Sequence, residues 1–293
     1  MEKKNQYPFY ECIDMVLKPS DFGYKNNVLI VKHNNTFRKE KDLAGINEYY
    51  SFKDHKLKKP YEPFLDIIKE YVVEKMETCK KFSLDDFLDK AKVYPLHKGL
   101  LKSYFLDQDL RRQEDIIFGE YKYEKERMKK AIINMYCEVA KKKKECLILD
   151  EVNMASVFVI EMLQEISKKP EYFSIKVIAI YNESGDVLPF TNDIVKEFIQ
   201  KCEEQALVYY WLFEEENEIF SEKKEENIDI CKMIKSVKNM CTLLEEEPAI
   251  YYARLLYNQI EKDKLNVSFG QKMILLKIDY KISMVREEYG YAL

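Results

Sequence analysis

The chain lacks the features that mark membrane-spanning, secreted and metal-binding proteins. Its longest apolar run, at 206–213, is too short to span a membrane, and its first residues lack the apolar core of a signal peptide. The seven cysteines include no Cys-x-x-Cys pair. With only three histidines, neither a His/Cys metal centre nor a Ser/His/Asp triad is expected. We therefore predict a cytoplasmic protein without membrane contact, whose cysteines are buried thiols.

The charge composition gives no reason to expect nucleic-acid binding. The 48 basic residues are offset by 52 acidic residues, for a net charge of −4, whereas binding to nucleic acid or anionic lipid favours a basic excess. A hydrophobic fraction of 46% over 293 residues is enough for a substantial core. We expect a folded chain of one large domain or two smaller ones, with no direct contact to nucleic acid.

A short apolar run that ends on two carboxylates is the most informative motif. Residues 146–149, Cys-Leu-Ile-Leu, are typical of a strand buried on both faces of a parallel sheet, and Asp150 and Glu151 follow directly. Ligands of open α/β sheets bind at the carboxyl ends of the strands. There Asp150 could hold Mg²⁺, and Glu151 could orient or deprotonate a water. The alternative is a structural role, such as capping the helix expected after residue 152.

Strand-like and helical patterns alternate through the first 215 residues, with the spacing of right-handed βαβ units. The candidate strands lie at 27–31, 49–52, 146–149, 175–181 and 206–213. This alternation predicts an α/β fold, with a parallel sheet flanked by helices. Only helical stripes follow the acidic segment. We therefore predict a domain over 1–215, an acidic linker over 216–226 and a helical segment over 227–293.

The order of these pieces resembles the P-loop ATPase domain of bacterial AAA-like signal-transduction proteins, in which tetratricopeptide repeats follow the ATPase domain. Pro-Tyr-Glu-Pro-Phe at 60–64 matches a segment that opens a helix in that family, and residues 147–156 resemble its Walker B strand and turn. Residues 178–182 are similar to its sensor strand. The likeness covers roughly residues 25–215. Tyr-x-x-Ala-Leu at 289–293 resembles a tetratricopeptide packing signature.

The resemblance implies a set of site residues and a cofactor. Asp150 would bind Mg²⁺, Glu151 would be the catalytic base and Asn182 would be the polar sensor of the nucleotide. Lys39 would contact the phosphates. The cofactor implied is Mg-ATP, although the residues by themselves make no cofactor certain.

The phosphate-binding loop of that family is missing. The motif G-x-x-x-x-G-K-[ST] needs glycines because its backbone N–H groups must converge on phosphate. Residues 32–40 contain no glycine; Lys39 falls at the lysine position and Glu40 at the hydroxyl position. In a second register, residues 37–43 match a box that precedes the first strand of such ATPases, and the loop is deleted. Both registers predict that the chain is not a competent ATPase.

Three functions stay open on the sequence. The leading hypothesis is a non-hydrolysing ATPase-like regulatory module of a bacterial signalling protein, which acts through a protein partner or through self-association of its C-terminal helices. The first alternative is an ATPase that binds Mg-ATP through Asp150, Glu151, Asn182 and either Lys39 or Lys41. The second is a fragment of a tetratricopeptide-containing diguanylate cyclase or transcription regulator. The helices over 227–293 are either a truncated repeat array or helices docked on the sheet.

Overall fold

The computed structural model falls into two compact units. The sheet unit comprises Met1–His55 and Cys137–Glu226, and the helical unit comprises Lys56–Tyr136 and Asn227–Leu293. The residues that the structure describes are 6–7, 9–18, 27–33, 49–52, 59–110, 121–183, 185–188, 191–205, 208–211, 229–262 and 267–285. The predicted acidic linker over 216–226 lies outside them.

Six strands and ten α-helices are present in the described ranges. The strands are β1 (Gln6–Tyr7), β2 (Val28–His33), β3 (Tyr49–Ser51), β4 (Cys146–Asp150), β5 (Lys176–Asn182) and β6 (Val208–Trp211). The helices are α1 (Phe9–Leu17), α2 (Phe64–Thr78), α3 (Leu84–Lys90), α4 (Pro95–Phe105), α5 (Tyr121–Lys143), α6 (Val157–Lys168), α7 (Asn192–Glu204), α8 (Ile230–Thr242), α9 (Glu246–Lys262) and α10 (Phe269–Val285). Among the described residues, no helix combines the length and the apolar character needed to cross a membrane.

The strands form one parallel sheet in the order β1-β6-β2-β5-β4-β3. Its four longer strands, β6, β2, β5 and β4, are neighbours in that order. Every residue of β2 and of β4 is buried, because a parallel sheet is covered on both faces and its strands are therefore almost continuously apolar. The predicted α/β fold, a parallel sheet flanked by helices, is confirmed. The sequence pattern missed β1, which is too short to show a periodicity.

One face of the sheet packs against α1. Cys12 and Val16 of this helix belong to the same apolar cluster as inward-facing residues of three central strands. The strand members of that cluster are Leu29, Val31, Cys146, Ile148, Ile178 and Ile180. Their alternate positions along each strand place them on one face of the sheet.

Pro63 and the run Ser-Leu-Asp-Asp at 83–86 predict the starts of two helices, and both helices are found. Helix α2 starts at Phe64, directly after Pro63, and α3 is capped by Ser83, whose Oγ accepts a hydrogen bond from the backbone N–H of Asp86 at 3.2 Å. The helical spacing of the apolar residues from Phe64 to Met76 predicts a stripe that faces the core. This stripe is only partly buried, because Met76, in the last turn of α2, is 48% exposed.

The C-terminal helices belong to the same unit as residues 56–136. The predicted boundaries instead include residues 56–136 in the domain over 1–215. The backbone N–H of Tyr61 donates to the Glu245 carboxylate at 2.7 Å, and the Tyr61 hydroxyl donates to the Leu243 carbonyl at 2.8 Å. Such contacts join residues far apart in the chain, so a local pattern cannot predict them. The helical patterns at 268–278 and from 282 onward predict two helices, whereas the single helix α10 covers 269–285.

The thiols differ between the units. Cys12, Cys137, Cys146 and Cys202 of the sheet unit are buried. Cys79 and Cys231 of the helical unit are exposed, so the prediction of buried thiols is wrong for these two. Both exposed cysteines lie at or beside a helix terminus, where the apolar pattern no longer implies burial.

Candidate functional site

The carboxyl edge of the sheet brings together three of the four predicted site residues. Asp150 ends β4, Glu151 follows it, and Asn182 ends the neighbouring parallel strand β5. The Asn182 side-chain amide donates to a Glu151 carboxylate oxygen, with 3.3 Å between Nδ2 and Oε1. Lys39 lies outside the described residues. The structure therefore groups the acidic pair with the sensor position, and the roles of all four residues stay predictions.

The Asp150 carboxylate is bound by donors of the protein itself. It is fully buried. The Tyr49 hydroxyl donates to its Oδ2 at 2.5 Å, and the Glu151 backbone N–H donates to its Oδ1 at 2.8 Å. The backbone N–H of Phe52 donates to the Asp150 carbonyl at 3.0 Å. Both carboxylate oxygens are thus engaged, as a buried charge requires, and they connect the end of β4 to β3.

Glu151 adopts a backbone conformation that is uncommon for a side-chain-bearing residue. Its φ of 53° and ψ of 49° lie in the left-handed region, and it is only 6% exposed. A single 3₁₀ turn, Val152–Met154, follows, and α6 begins only at Val157 with Ser156 as its N-cap. The two acids therefore do not cap α6, and the helix-capping form of the structural alternative is wrong. Strained conformations are concentrated at tight turns and at functional sites.

Two residues that the sequence reasoning did not select support this arrangement. Asn153 Oδ1 accepts a hydrogen bond from the Asn182 backbone N–H at 3.4 Å, and Asn153 Nδ2 donates to the Asp186 carbonyl. A Cβ on Gly185 would lie 2.7 Å from Asn153 Nδ2 and 3.1 Å from Asn182 Cγ. Glycine is thus needed for this close approach. Asn153 stands two positions after Glu151 in the sequence, but nothing in the sequence indicates its partners.

Strand β2 extends further than predicted and changes the role of its lysine. The sequence pattern ends this strand at residue 31 and places Lys32 in a loop, whereas β2 continues through His33. Lys32 is 7% exposed and pairs with Glu203 and with Glu183, whose Oε1 lies 3.5 Å from Nζ. A buried cation needs such partners. Lys32 is therefore neutralised within the sheet unit, and the predicted phosphate-loop region from 34 onward lies outside the described residues.

The described residues contain no group of three His, Cys, Asp or Glu residues arranged to hold a metal ion. Mg²⁺ at a nucleotide site is held by one or two carboxylates together with phosphates and water, so the magnesium role of Asp150 stays a prediction. Asp150, the predicted magnesium ligand, has both carboxylate oxygens hydrogen-bonded. The arrangement connects β3, β4 and β5 through hydrogen bonds near the carboxyl edge of the sheet.

Comparison of the chain with protein-family models, with curated proteins and with solved structures gives no match in any of the three. The likeness to AAA-like ATPases therefore rests on the sequence motifs alone. Any function has to be argued from the geometry of the two units.

Proposed function

We propose that the chain is an ATPase-like regulatory module that acts through protein interaction and does not hydrolyse ATP. The observation that carries this proposal is the internal engagement of the acidic pair. A Walker B pair has to offer carboxylate oxygens to Mg²⁺ and to the attacking water. Here Tyr49 and a backbone amide bind Asp150, and Asn182 binds Glu151. The glycine-free segment 32–40 supports the same conclusion.

The strand order supports the ATPase-like part of the proposal. Counted from β2, the sheet has the order 5-1-4-3-2. The strand that ends in Asn182 thus lies between the first long strand and the strand that ends in Asp150, so the predicted sensor position stands beside the predicted Walker B pair. The Rossmann order 3-2-1-4-5-6 and the flavodoxin order 2-1-3-4-5 both differ from it.

An exposed apolar stripe on α10 supports the interaction part. Phe269, Leu276 and Tyr280 are 79%, 40% and 52% exposed, and their spacing of seven and then four residues places them on one face of the helix. We call this face the α10 stripe. Leu275 and Ile278, on the opposite face, are buried in the core of the helical unit. Large apolar side chains that share one exposed face are typical of protein interaction surfaces.

Titration calorimetry with MgATP and MgADP tests whether the chain binds nucleotide, which ATP hydrolysis requires. We expect no binding up to millimolar nucleotide and no thermal stabilisation. A ligand with a micromolar dissociation constant, present at millimolar concentration, would raise the free energy of unfolding by about 4 kcal/mol. Calorimetry and thermal unfolding therefore check each other. The control is Asp150→Asn, which keeps the shape of the side chain. Micromolar binding that this substitution abolishes would overturn the proposal.

One observation favours the enzymatic alternative. Asp150, Glu151 and Asn182 do meet at one edge of the sheet, where ligands of parallel sheets bind. A carboxylate oxygen carries more than one lone pair, so an incoming cation could share or displace the present donors. The alternative predicts magnesium-dependent nucleotide binding and ATP hydrolysis that Glu151→Gln abolishes.

A further inference from the structure

A groove of about 640 Å³ separates α2 from α8 within the helical unit. Its volume is in the range of about 300 to 1,000 Å³ that ligand sites occupy. Its apolar lining residues are Pro60, Val73 and Tyr104; Val73 is 38% exposed, whereas Pro60 and Tyr104 are buried. The groove shares no lining residue with the α10 stripe.

The two sides of the groove carry opposite charges that do not meet. Helix α2 contributes Glu70 and Glu77, and helix α8 contributes Lys232 and Lys235, all of them exposed. None of these four side chains forms an ion pair within the part of the chain that the structure describes. The other charged pairs at the groove are Lys59 with Asp66, Lys69 with Asp107 and Glu74 with Lys75. An acidic side and a basic side therefore stay available to an occupant.

The spacing of these charges matches a helical occupant. Glu70 and Glu77 are separated by two turns, about 10 Å along α2, and Lys232 and Lys235 by about 5 Å along α8. An α-helix laid between α2 and α8 would repeat its own side chains at the same intervals. Basic residues on one flank and acidic residues on the other would then meet both sides at once.

We propose that this groove binds an amphipathic helix of a partner protein. The apolar face of that helix packs against Val73 and Tyr104, its basic flank faces Glu70 and Glu77, and its acidic flank faces the two lysines of α8. This is recognition of a helix in a groove, with charge complementarity setting the choice of partner. The inference rests on the proposed interaction role of the chain and gives the partner its chemical class.

Fluorescence anisotropy with synthetic helices tests the groove directly. The probe is a labelled peptide of about 15 residues, long enough to form a helix, with leucines on one face, lysines on one flank and glutamates on the other. Two further peptides keep the leucine face but carry only lysine or only glutamate. The full chain should bind the mixed peptide about tenfold more tightly than either. High salt should remove the difference, because exposed charges are screened.

Charge reversal of one side makes the test specific. In Glu70→Lys with Glu77→Lys both sides are basic, so this variant should lose about tenfold in affinity for the mixed peptide and gain affinity for the all-glutamate peptide. The control, Glu145→Lys with Asp193→Lys, reverses two exposed carboxylates of the sheet unit and should bind like the unmodified chain.

Three results would overturn the groove assignment. They are equal binding of all three peptides, identical behaviour of the two reversal variants, and equal binding of a proline-interrupted peptide, which would indicate an extended occupant. If the chain self-associates through the α10 stripe but binds none of the peptides, the groove assignment is wrong and the proposed function still stands. Micromolar MgATP binding together with peptide binding would overturn the proposed function and leave the groove assignment standing.

Discussion

Acidic side chains have opposite environments at the carboxyl edge of the sheet and on the surface of the helical unit. At the sheet edge, Asp150 and Glu151 are buried and held by hydroxyl and amide donors of the protein. On α2, Glu70 and Glu77 are exposed and form no ion pair within the described ranges. Burial forces a carboxylate to find donors inside the fold, whereas an exposed carboxylate stays available. This contrast is the basis of the proposal that the helical unit binds a partner.

The largest contrast is expected within α10 itself. Leu275 is 1% exposed and Leu276 is 40% exposed. Leu275→Ala should lower the free energy of unfolding by about 2 to 5 kcal/mol, because it opens a cavity, whereas Leu276→Ala should change it by less than about 0.5 kcal/mol. Urea unfolding measures both. Light scattering should show weaker self-association or partner binding for Leu276→Ala, and unchanged association would count against the α10 stripe.

Removing a buried carboxylate should cost more than removing an exposed one. Asp150→Ala leaves the Tyr49 hydroxyl and the Glu151 N–H without their acceptor, which should lower the free energy of unfolding by about 2 to 4 kcal/mol. Glu77→Ala should change it by less than about 0.5 kcal/mol. Chemical denaturation distinguishes the two variants. Equal stabilities would mean that the hydrogen bonds of Asp150 do not support the fold.

Adding one methyl group at each of two glycines compares a crowded position at the sheet edge with an open position on a helix. Gly185→Ala places a Cβ against Asn153 and Asn182 and should destabilise the chain by about 1 to 3 kcal/mol. Gly99 lies in α4 with no atom within 4 Å of its added Cβ, so Gly99→Ala should stabilise by up to about 1 kcal/mol. Thermal unfolding shows whether each substitution raises or lowers the stability. An unchanged stability of Gly185→Ala would disprove the crowding at this position.

The smallest expected effect on stability near neutral pH comes from the buried thiols. Burial, reinforced by Glu11, raises the pKa of Cys12 from 9.0 to about 12, and burial with Glu203 does the same for Cys202. Above pH 9 the unfolded chain loses these protons while the folded chain keeps them. The free energy of unfolding should therefore fall as the pH rises from 9 to about 12.

Unfolding at about pH 8 and about pH 10 checks this slope. The double variant Cys12→Ala with Cys202→Ala should reduce it. The exposed thiols of Cys79 and Cys231 should react with iodoacetamide at neutral pH, whereas Cys12 and Cys202 should not react until the chain unfolds. A slope that the double variant leaves unchanged would contradict the role assigned to burial.

The candidate site was predictable only in its local parts. The apolar run before Asp150 predicts a buried strand that ends on acids, and parallel strands bring Asn182 to the same edge. The hydrogen bond from Tyr49 to Asp150 joins residues 101 positions apart, and the contact of Gly185 with Asn153 depends on the placement of two turns. Neither leaves a local pattern, because no periodicity links residues in different elements.

The sequence by itself determined the elements whose pattern is local: the buried strands β2 and β4, the cap at Ser83 and the absence of a glycine-rich loop. Periodicity and capping act over a few residues, so they are visible along the chain. The tertiary structure alone decided the strand order, the donors that engage Asp150 and Glu151, and the grouping of residues 56–136 with the C-terminal helices. These depend on contacts between distant residues, and only folding brings such residues together.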